Sequence, residues 1–350
     1  MVSLSAVQAS NSSISNSLPP GLVGVFVGAT NGIGEATVKQ FAKYAQKPRA
    51  YLVGRSQEAG DRIVRECQDL NPEGQYIFIK ADVSLLRVVD EVCHEIQGKE
   101  RVVNILFLSA GVLDMTKRRT AEDLQLRFAI AYYSRMRFTL NLLPLLRRAP
   151  NLRRVVSVFT ATKEGQLHLD DIAGENLSML TGRPHLSSLM TFSLEALAKF
   201  APEVSFVHDY PGPVKTGIGR ELPWILRAAF GVILPFIQIP IEESGERHLF
   251  LSTSSRYEPN GVADGQKASG VPLIEGIKVA EGTDGKIGSG VYSVDWDCET
   301  CGPKVTALLA KMREEGCVEK VWKHTEGEFK RITGNEKAYD LSPLLFYVVV

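Results

Sequence analysis

An excess of charge of either sign is missing from this chain. Its 40 lysines and arginines face 40 aspartates and glutamates, for a formal net charge of zero. That balance excludes a protein that grips nucleic acid, whose affinity comes largely from surplus Lys and Arg. It equally excludes an acidic solvating or calcium-loading chain. Cysteine is scarce and odd in number, with Cys67, Cys93, Cys298, Cys301 and Cys317. A secreted disulfide framework is therefore not expected, and a reducing, cytoplasmic setting is. Cys298 and Cys301 have CxxC spacing, but no second pair and no spaced histidines would complete a zinc site. They read as ordinary thiols at a strand end, and no metal is expected.

Targeting signals are missing too. The opening MVSLSAVQASNSSISNSLPP has neither a basic region nor a long apolar run, and it reads as a flexible arm over 1–20. Its sequon at Asn11 is a chance match. The nearest approach to a membrane span, Leu222 to Ile241, is broken by Arg227, Gln238 and three prolines, so no transmembrane helix is expected. The segment reads instead as an apolar lid over a greasy pocket, a contact for a partner or a second copy of the chain, or a peripheral membrane contact.

What is present is a hydrophobic content of 44% over 350 residues, enough for a large core. Apolar runs and helical stretches alternate from Gly21 onward. LVGVFVG leads into GEATVKQFAKYAQ, RAYLVG into Glu58 to Leu70, and YIFIKAD into Leu86 to Gln97. VVNILFLSAG precedes a long helix over Leu124 to Leu146, RRVVSVFT follows it, and a helix over Ser187 to Phe200 leads to VSFVHDY. Strands that are apolar without strict alternation are covered on both faces, so the sheet is parallel. Right-handed crossovers make it doubly wound, an α/β fold of the Rossmann type. This dinucleotide-binding domain is expected over 21–258, including the lid at 222–241. A C-terminal extension over 259–350, with helices at Lys304 to Glu315 and Cys317 to Ile332 and an apolar LLFYVVV end, should pack on it.

GATNGIG, from Gly28 to Gly34, sits between the first strand and a helix, the context a nucleotide-binding turn requires. Gly28 permits the tight turn, Gly32 lets a pyrophosphate approach the backbone, and Gly34 lets the helix pack closely. Thr30, Asn31 and Ile33 complete the turn, and helix amides meet the phosphate charge. At the end of the second strand an NAD site would carry a carboxylate. The chain reads VGRS there, and Arg55 can pair bidentately with a 2′-phosphate, so NADP is the expected cofactor.

With these motifs the chain resembles the short-chain dehydrogenase/reductase family over Gly21 to about Tyr257. The resemblance implies that Asp82 and Val83 flank the adenine and that Ser109, Ala110 and Gly111 hold the cofactor sugar, although Ser109 replaces an Asn of the family's NNAG. Pro211, Gly212, Val214 and Thr216 resemble the PG…T element near the nicotinamide. The family uses a Tyr activated by a Lys four residues on, a Ser that polarises the oxygen, and a helix Asn. Here Thr160 stands at the Ser position and Ala131 at the Asn position. No YxxxK occurs between Thr160 and Pro211, the segment His168 to Phe200 contains no tyrosine, and Arg183 and Ser187 fall near the Tyr and Lys positions.

Replacement acids are His185, read as lying in a loop, Tyr133 with its neighbour Tyr132, and Tyr210, which shares a strand face with His208. The alternatives are an exposed loop histidine and aromatics packed beneath the sheet. Arg127, one turn before Ala131, is placed to meet phosphate or substrate, or else is a solvated helix arginine. The apolar lid points to a lipophilic small-molecule substrate. GRELPW and ESGERHLFLSTSSRY resemble fungal members of secondary-metabolite pathways. The expected function is an NADP-dependent oxidoreductase acting on a lipophilic carbonyl, alcohol or enone. A non-redox enzyme on the same fold (cyclase, isomerase or dehydratase) and a nucleotide-binding interaction protein are the alternatives.

Overall fold

The computed structural model describes residues 1–114, 116–214, 216, 238–260 and 270–335. Every residue of β1 (Val23–Val27), β4 (Ile105–Leu108), β5 (Arg154–Val158), β6 (Ser205–Asp209) and β7 (Val291–Val294) is buried. Such strands have no solvent face and need helices on both sides. With β2 (Arg49–Gly54) and β3 (Gln75–Lys80) they form a seven-stranded sheet in the order β3-β2-β1-β4-β5-β6-β7. Every strand pair is parallel. The doubly wound expectation is met.

Helices divide between two apolar clusters, one on each sheet face. α3 (Gly32–Tyr44), α4 (Gln57–Leu70) and α9 (Ile241–Thr253) cover one. α5 (Leu86–Lys99), α7 (Ser134–Arg148) and α8 (Met179–Phe200) cover the other. The long helix expected from Leu124 is a compound of α6 (Leu126–Phe128), a π-helical turn at Ala129–Tyr133, and α7. π-Turns inside helices commonly mark functional positions. This one contains Ala131.

The C-terminal extension is built into the core. β7 is the seventh strand of the sheet, and α10 (Pro303–Glu314) and α11 (Cys317–Thr333) close its α8 face. Val321, Trp322, Phe329 and Ile332 join that core, each contributing about 1.5–3 kcal/mol for a large side chain fully withdrawn from water. The apolar lid over 222–237 and the LLFYVVV end lie outside the described residues. Among the described residues no helix is long and apolar enough to cross a membrane, and the five cysteines are free.

The first twenty residues differ from a flexible arm. They form α1 (Leu4–Ser12) and α2 (Ile14–Ser17), with the Ser3 hydroxyl capping α1 by accepting from the Ala6 amide at 3.2 Å. Val2, Val7, Ile14 and Leu18 are buried in the α9-side cluster. Asn11, the sequon residue, is fully buried, and its Nδ2 donates to the Glu246 carbonyl (2.9 Å) and Oε2 (2.6 Å) on α9. Serines and asparagines hide a helix here because few of its positions are apolar, although Val7 among them is fully buried. Replacing Asn11 by Ala leaves part of the Glu246 acceptor set unsatisfied and should cost about 1–3 kcal/mol. Denaturant unfolding checks this, and a change within ~0.3 kcal/mol would show that α1 is not anchored there.

Candidate active site

Strand order reverses between β1 and β4, the switch point at which sheets of this kind take nucleotides in the crevice outside their strand ends. Two backbone turns meet there. Gly28 has φ +90°, and a Cβ on it would collide with the backbone of Ala110. A Cβ on Gly34 would collide with the Gly28 carbonyl oxygen and lie 2.6 Å from Ser109 Oγ. Gly32, at φ +59°, faces the Thr216 methyl, which brings the Pro211–Thr216 element over the same turn. Asn31 precedes α3 but gives no side-chain cap to its first amides, which leaves that helix end suited to an anion.

The other cofactor candidates surround this turn. Thr30 packs against Gly54 at the end of β2, and Ile33 packs onto the α9-side cluster. Arg55, next in the chain, is exposed and makes no hydrogen bond or ion pair among the described residues. Asp82 Oδ1 accepts from the Ser84 amide (3.1 Å), while Val83 is buried. Ser109 Oγ donates to the Val27 carbonyl (3.2 Å), tying the two turns together, and Gly111 is exposed. Gly212, at φ +70°, packs on Ile239 and Trp296, and Val214 bridges to Ile239. The C-terminal end of the lid thus reaches the PG turn.

Beside the crevice, three α8 side chains four residues apart face the ends of β5 and β6. Ser187 Oγ donates to the Thr160 carbonyl (2.6 Å). Thr191 Oγ1 donates to Glu164 Oε1 (2.9 Å) and lies 3.0 Å from His208 Nδ1. Arg183 lies over the Tyr210 ring, 5.8 Å from its centroid. His208 Nε2 accepts from the Thr160 amide (3.3 Å), so Nδ1 carries a proton directed at Thr191. Ser293 Oγ donates to Glu164 Oε1 (2.6 Å). Burial alone would raise the Glu164 carboxyl, but the His208 ring and Ser293 hydroxyl hold it below its usual range.

Three atoms in this region are buried without a partner: Thr160 Oγ1, Glu164 Oε2 and Arg135 Nε. Orphaned polar atoms are rare in a folded interior and call for a ligand or ordered water. Thr160 is 3% exposed.

Residues 23–166 match the family model described as short chain dehydrogenase. An oxidoreductase of Emericella nidulans is 39% identical over 333 residues, which cover 93% of this chain and 97% of that protein. The oxidoreductase andH of Emericella variicolor is 36% identical over 344 residues, covering 96% and 99%. The chain belongs to the short-chain dehydrogenase/reductase family. The solved structure of the Pseudomonas aeruginosa RhlG/NADP active-site complex shares the fold, with TM-score 0.52 and 17% identity over 75% of this chain and 98% of that one.

Within this short-chain dehydrogenase/reductase the candidate acids lie in different surroundings. His185 is neither exposed nor in a loop, because α8 begins at Met179, where Ser178 caps it. The ring is fully buried, with Nδ1 accepting from the His168 amide and Nε2 donating to the Ile172 carbonyl, both at 3.1 Å. Burial lowers its pKa, and both nitrogens are engaged in holding the 168–172 loop. Tyr133 and Tyr132 turn toward the extension. The Tyr133 hydroxyl meets His324 Nε2 at 2.7 Å, and that of Tyr132 meets Ser193 and Thr325. Burial pushes the Tyr133 hydroxyl well above its ordinary value.

Tyr210 is half-exposed, and its hydroxyl makes no hydrogen bond among the described residues. Arg183 and Lys163 both approach its ring, with the Lys163 Nζ 5.1 Å from the centroid. Arg127 is half-buried on the Phe128 ring, and burial lowers its pKa. The buried Glu164, Thr191 and Ser293 were not singled out from sequence, and neither was Arg135. Isolated polar residues carry no local pattern, although Arg135 in a largely apolar helix was a signal.

Because backbone fills the space beside Gly34, Gly34→Ala should destabilise the fold by about 1–3 kcal/mol through overpacking. Thermal unfolding of the variant checks this. A wild-type melting temperature would contradict the close approach.

Proposed function

We propose that the chain is an NADP-dependent oxidoreductase acting on a lipophilic carbonyl, alcohol or enone intermediate of fungal secondary metabolism, with Thr160 at the reacting oxygen and Tyr210 as its proton carrier. The observation that carries this reading is the Thr160 hydroxyl, buried and unpartnered at the end of β5 beside the crevice. The family relatives named as oxidoreductases support the reaction class. The apolar lid, joined to the PG turn through Ile239, supports the lipophilic substrate.

The crevice fits the dinucleotide by its close-packed glycines and by the uncapped start of α3. In this reading Gly28, Thr30, Asn31, Gly32, Ile33 and Gly34 hold the pyrophosphate, and Arg55 holds the 2′-phosphate. Asp82 and Val83 border the adenine, and Ser109, Ala110 and Gly111 border the sugar. Pro211, Gly212, Val214 and Thr216 close over the nicotinamide side, with Arg127 on the substrate side. When bound, the cofactor supplies the hydride.

The chain's own residues handle the oxygen. Thr160 donates its hydroxyl proton in a hydrogen bond that polarises the carbonyl. Tyr210 gives the oxygen one proton for each hydride taken up by carbon, and Lys163 and Arg183 meet the negative charge left on the phenol oxygen. Ser187 and His208 position Thr160 through its carbonyl and amide. His185 and Tyr133 act as structural pins.

A second reading, a non-redox cyclase, isomerase or dehydratase, is favoured by α8 having Arg183 and Ser187 where the family's Tyr and Lys fall. The two separate cleanly. NADPH should be consumed only with substrate present, whereas turnover undiminished after all dinucleotide is stripped supports the non-redox enzyme.

Thr160→Ala should lower kcat by about 10²-fold, and Tyr210→Phe by about 10²–10⁴-fold. Steady-state kinetics check both, and unchanged rates would remove the residue concerned from its role. Arg55→Glu should weaken NADPH binding by about tenfold or more while sparing NADH. Titration of the two cofactors reads this directly, and equal losses for both would place the 2′-phosphate elsewhere.

A further inference from the structure

The Arg135 guanidinium is 2% exposed and sits where β4 and β5 part. Nη1 donates to Ser157 Oγ (2.9 Å) and the Val158 carbonyl (2.7 Å), and Nη2 donates to the Ala110 carbonyl (2.7 Å). Nε is buried with no partner. No carboxylate pairs with it among the described residues. Arg137, two positions on, shows the ordinary solution, with Nε and Nη2 on the two oxygens of Asp90 at 2.6 and 2.8 Å. Burial pulls the Arg135 guanidinium down to about 9, still above neutrality, so the site keeps its charge.

An uncompensated buried cation is costly, and its field is weakly screened by its surroundings. The placement of this one is specific. Its hydrogen bonds end on the Ala110 turn and on the C-terminal end of β5. Ala110 is where Gly28 makes its close approach, and Val158 lies two residues before Thr160. It follows the π-turn that contains Ala131, so a cation stands one helical turn beyond the family's Asn position.

We infer that Arg135 makes the site select the reduced dinucleotide over the oxidised one. The inference rests on the reading that a nicotinamide dinucleotide occupies this crevice. The nicotinamide ring is cationic when oxidised and neutral when reduced, while the phosphates and sugars are the same in both. A fixed positive charge at the floor of the crevice therefore repels one form and not the other. The resting site fills with NADPH and releases NADP⁺ readily.

The test is binding without substrate. NADPH and NADP⁺ are titrated calorimetrically into wild-type protein, Arg135→Gln and Arg135→Lys. Wild type should bind NADPH about tenfold tighter than NADP⁺. Arg135→Gln should bring the two constants within about twofold, and Arg135→Lys, which keeps the charge, should retain the preference. Because each ratio is taken within one protein, general loosening of the site cancels. Equal affinities in wild type overturn the inference even if Arg135→Gln fails to fold, and so does an unchanged ratio in folded Arg135→Gln. Wild type binding neither dinucleotide would overturn the reading of the crevice itself. Binding without preference removes only the role of Arg135.

Discussion

Two backbone turns in contact, one at Gly28 and one at Ala110, set the geometry on which the site depends. They lie at the ends of adjacent parallel strands at the point where strand order reverses. Side chains cannot fit between them, which is why Gly28 and Gly34 stand where they do. Ser109 ties the second turn to the end of β1, and Thr216 closes on Gly32 from above. An anion that enters this space meets uncapped helix amides rather than side chains. The proposed binding half of the site is therefore largely a property of backbone.

The half of the site proposed to react is built from side chains with unusual polarity. Thr160 is held from both sides, its amide by His208 and its carbonyl by Ser187, yet its hydroxyl is left without a partner. In the proposed reaction, holding the backbone while leaving the hydroxyl free preorganises it for the substrate oxygen. Beneath it Glu164, Thr191 and Ser293 form a buried network that fixes the His208 tautomer. Arg135 adds charge on the other side. The extension contributes too, because Ser293 lies on β7 and α11 anchors the tyrosines of the π-turn.

The alternating elements were legible because buried parallel strands leave continuous apolar runs, and the glycine turn because its spacing reflects close approach. The N-terminal helices were hidden by serine and asparagine, which say coil by composition while Val7, Ile14 and Leu18 fill a groove. His185 was misplaced for a local reason. The Gly182 and Pro184 just before it suggest a loop, but Ser178 starts α8 upstream and carries both into helix. Glu164, Thr191 and Arg135 become significant only through partners far away in sequence. The departure at the Tyr–Lys position was visible from the start, but not the surroundings of Tyr210, since Lys163 and Arg183 converge on it only in the fold.

A crystal structure with NADPH and a substrate analogue tests the central claim most directly. The account predicts the pyrophosphate at the start of α3 and the nicotinamide beside Thr160. The analogue's oxygen should lie within hydrogen-bond reach of Thr160 Oγ1 and the Tyr210 hydroxyl. A nicotinamide facing other side chains, with the Thr160 hydroxyl still unpartnered, would contradict it.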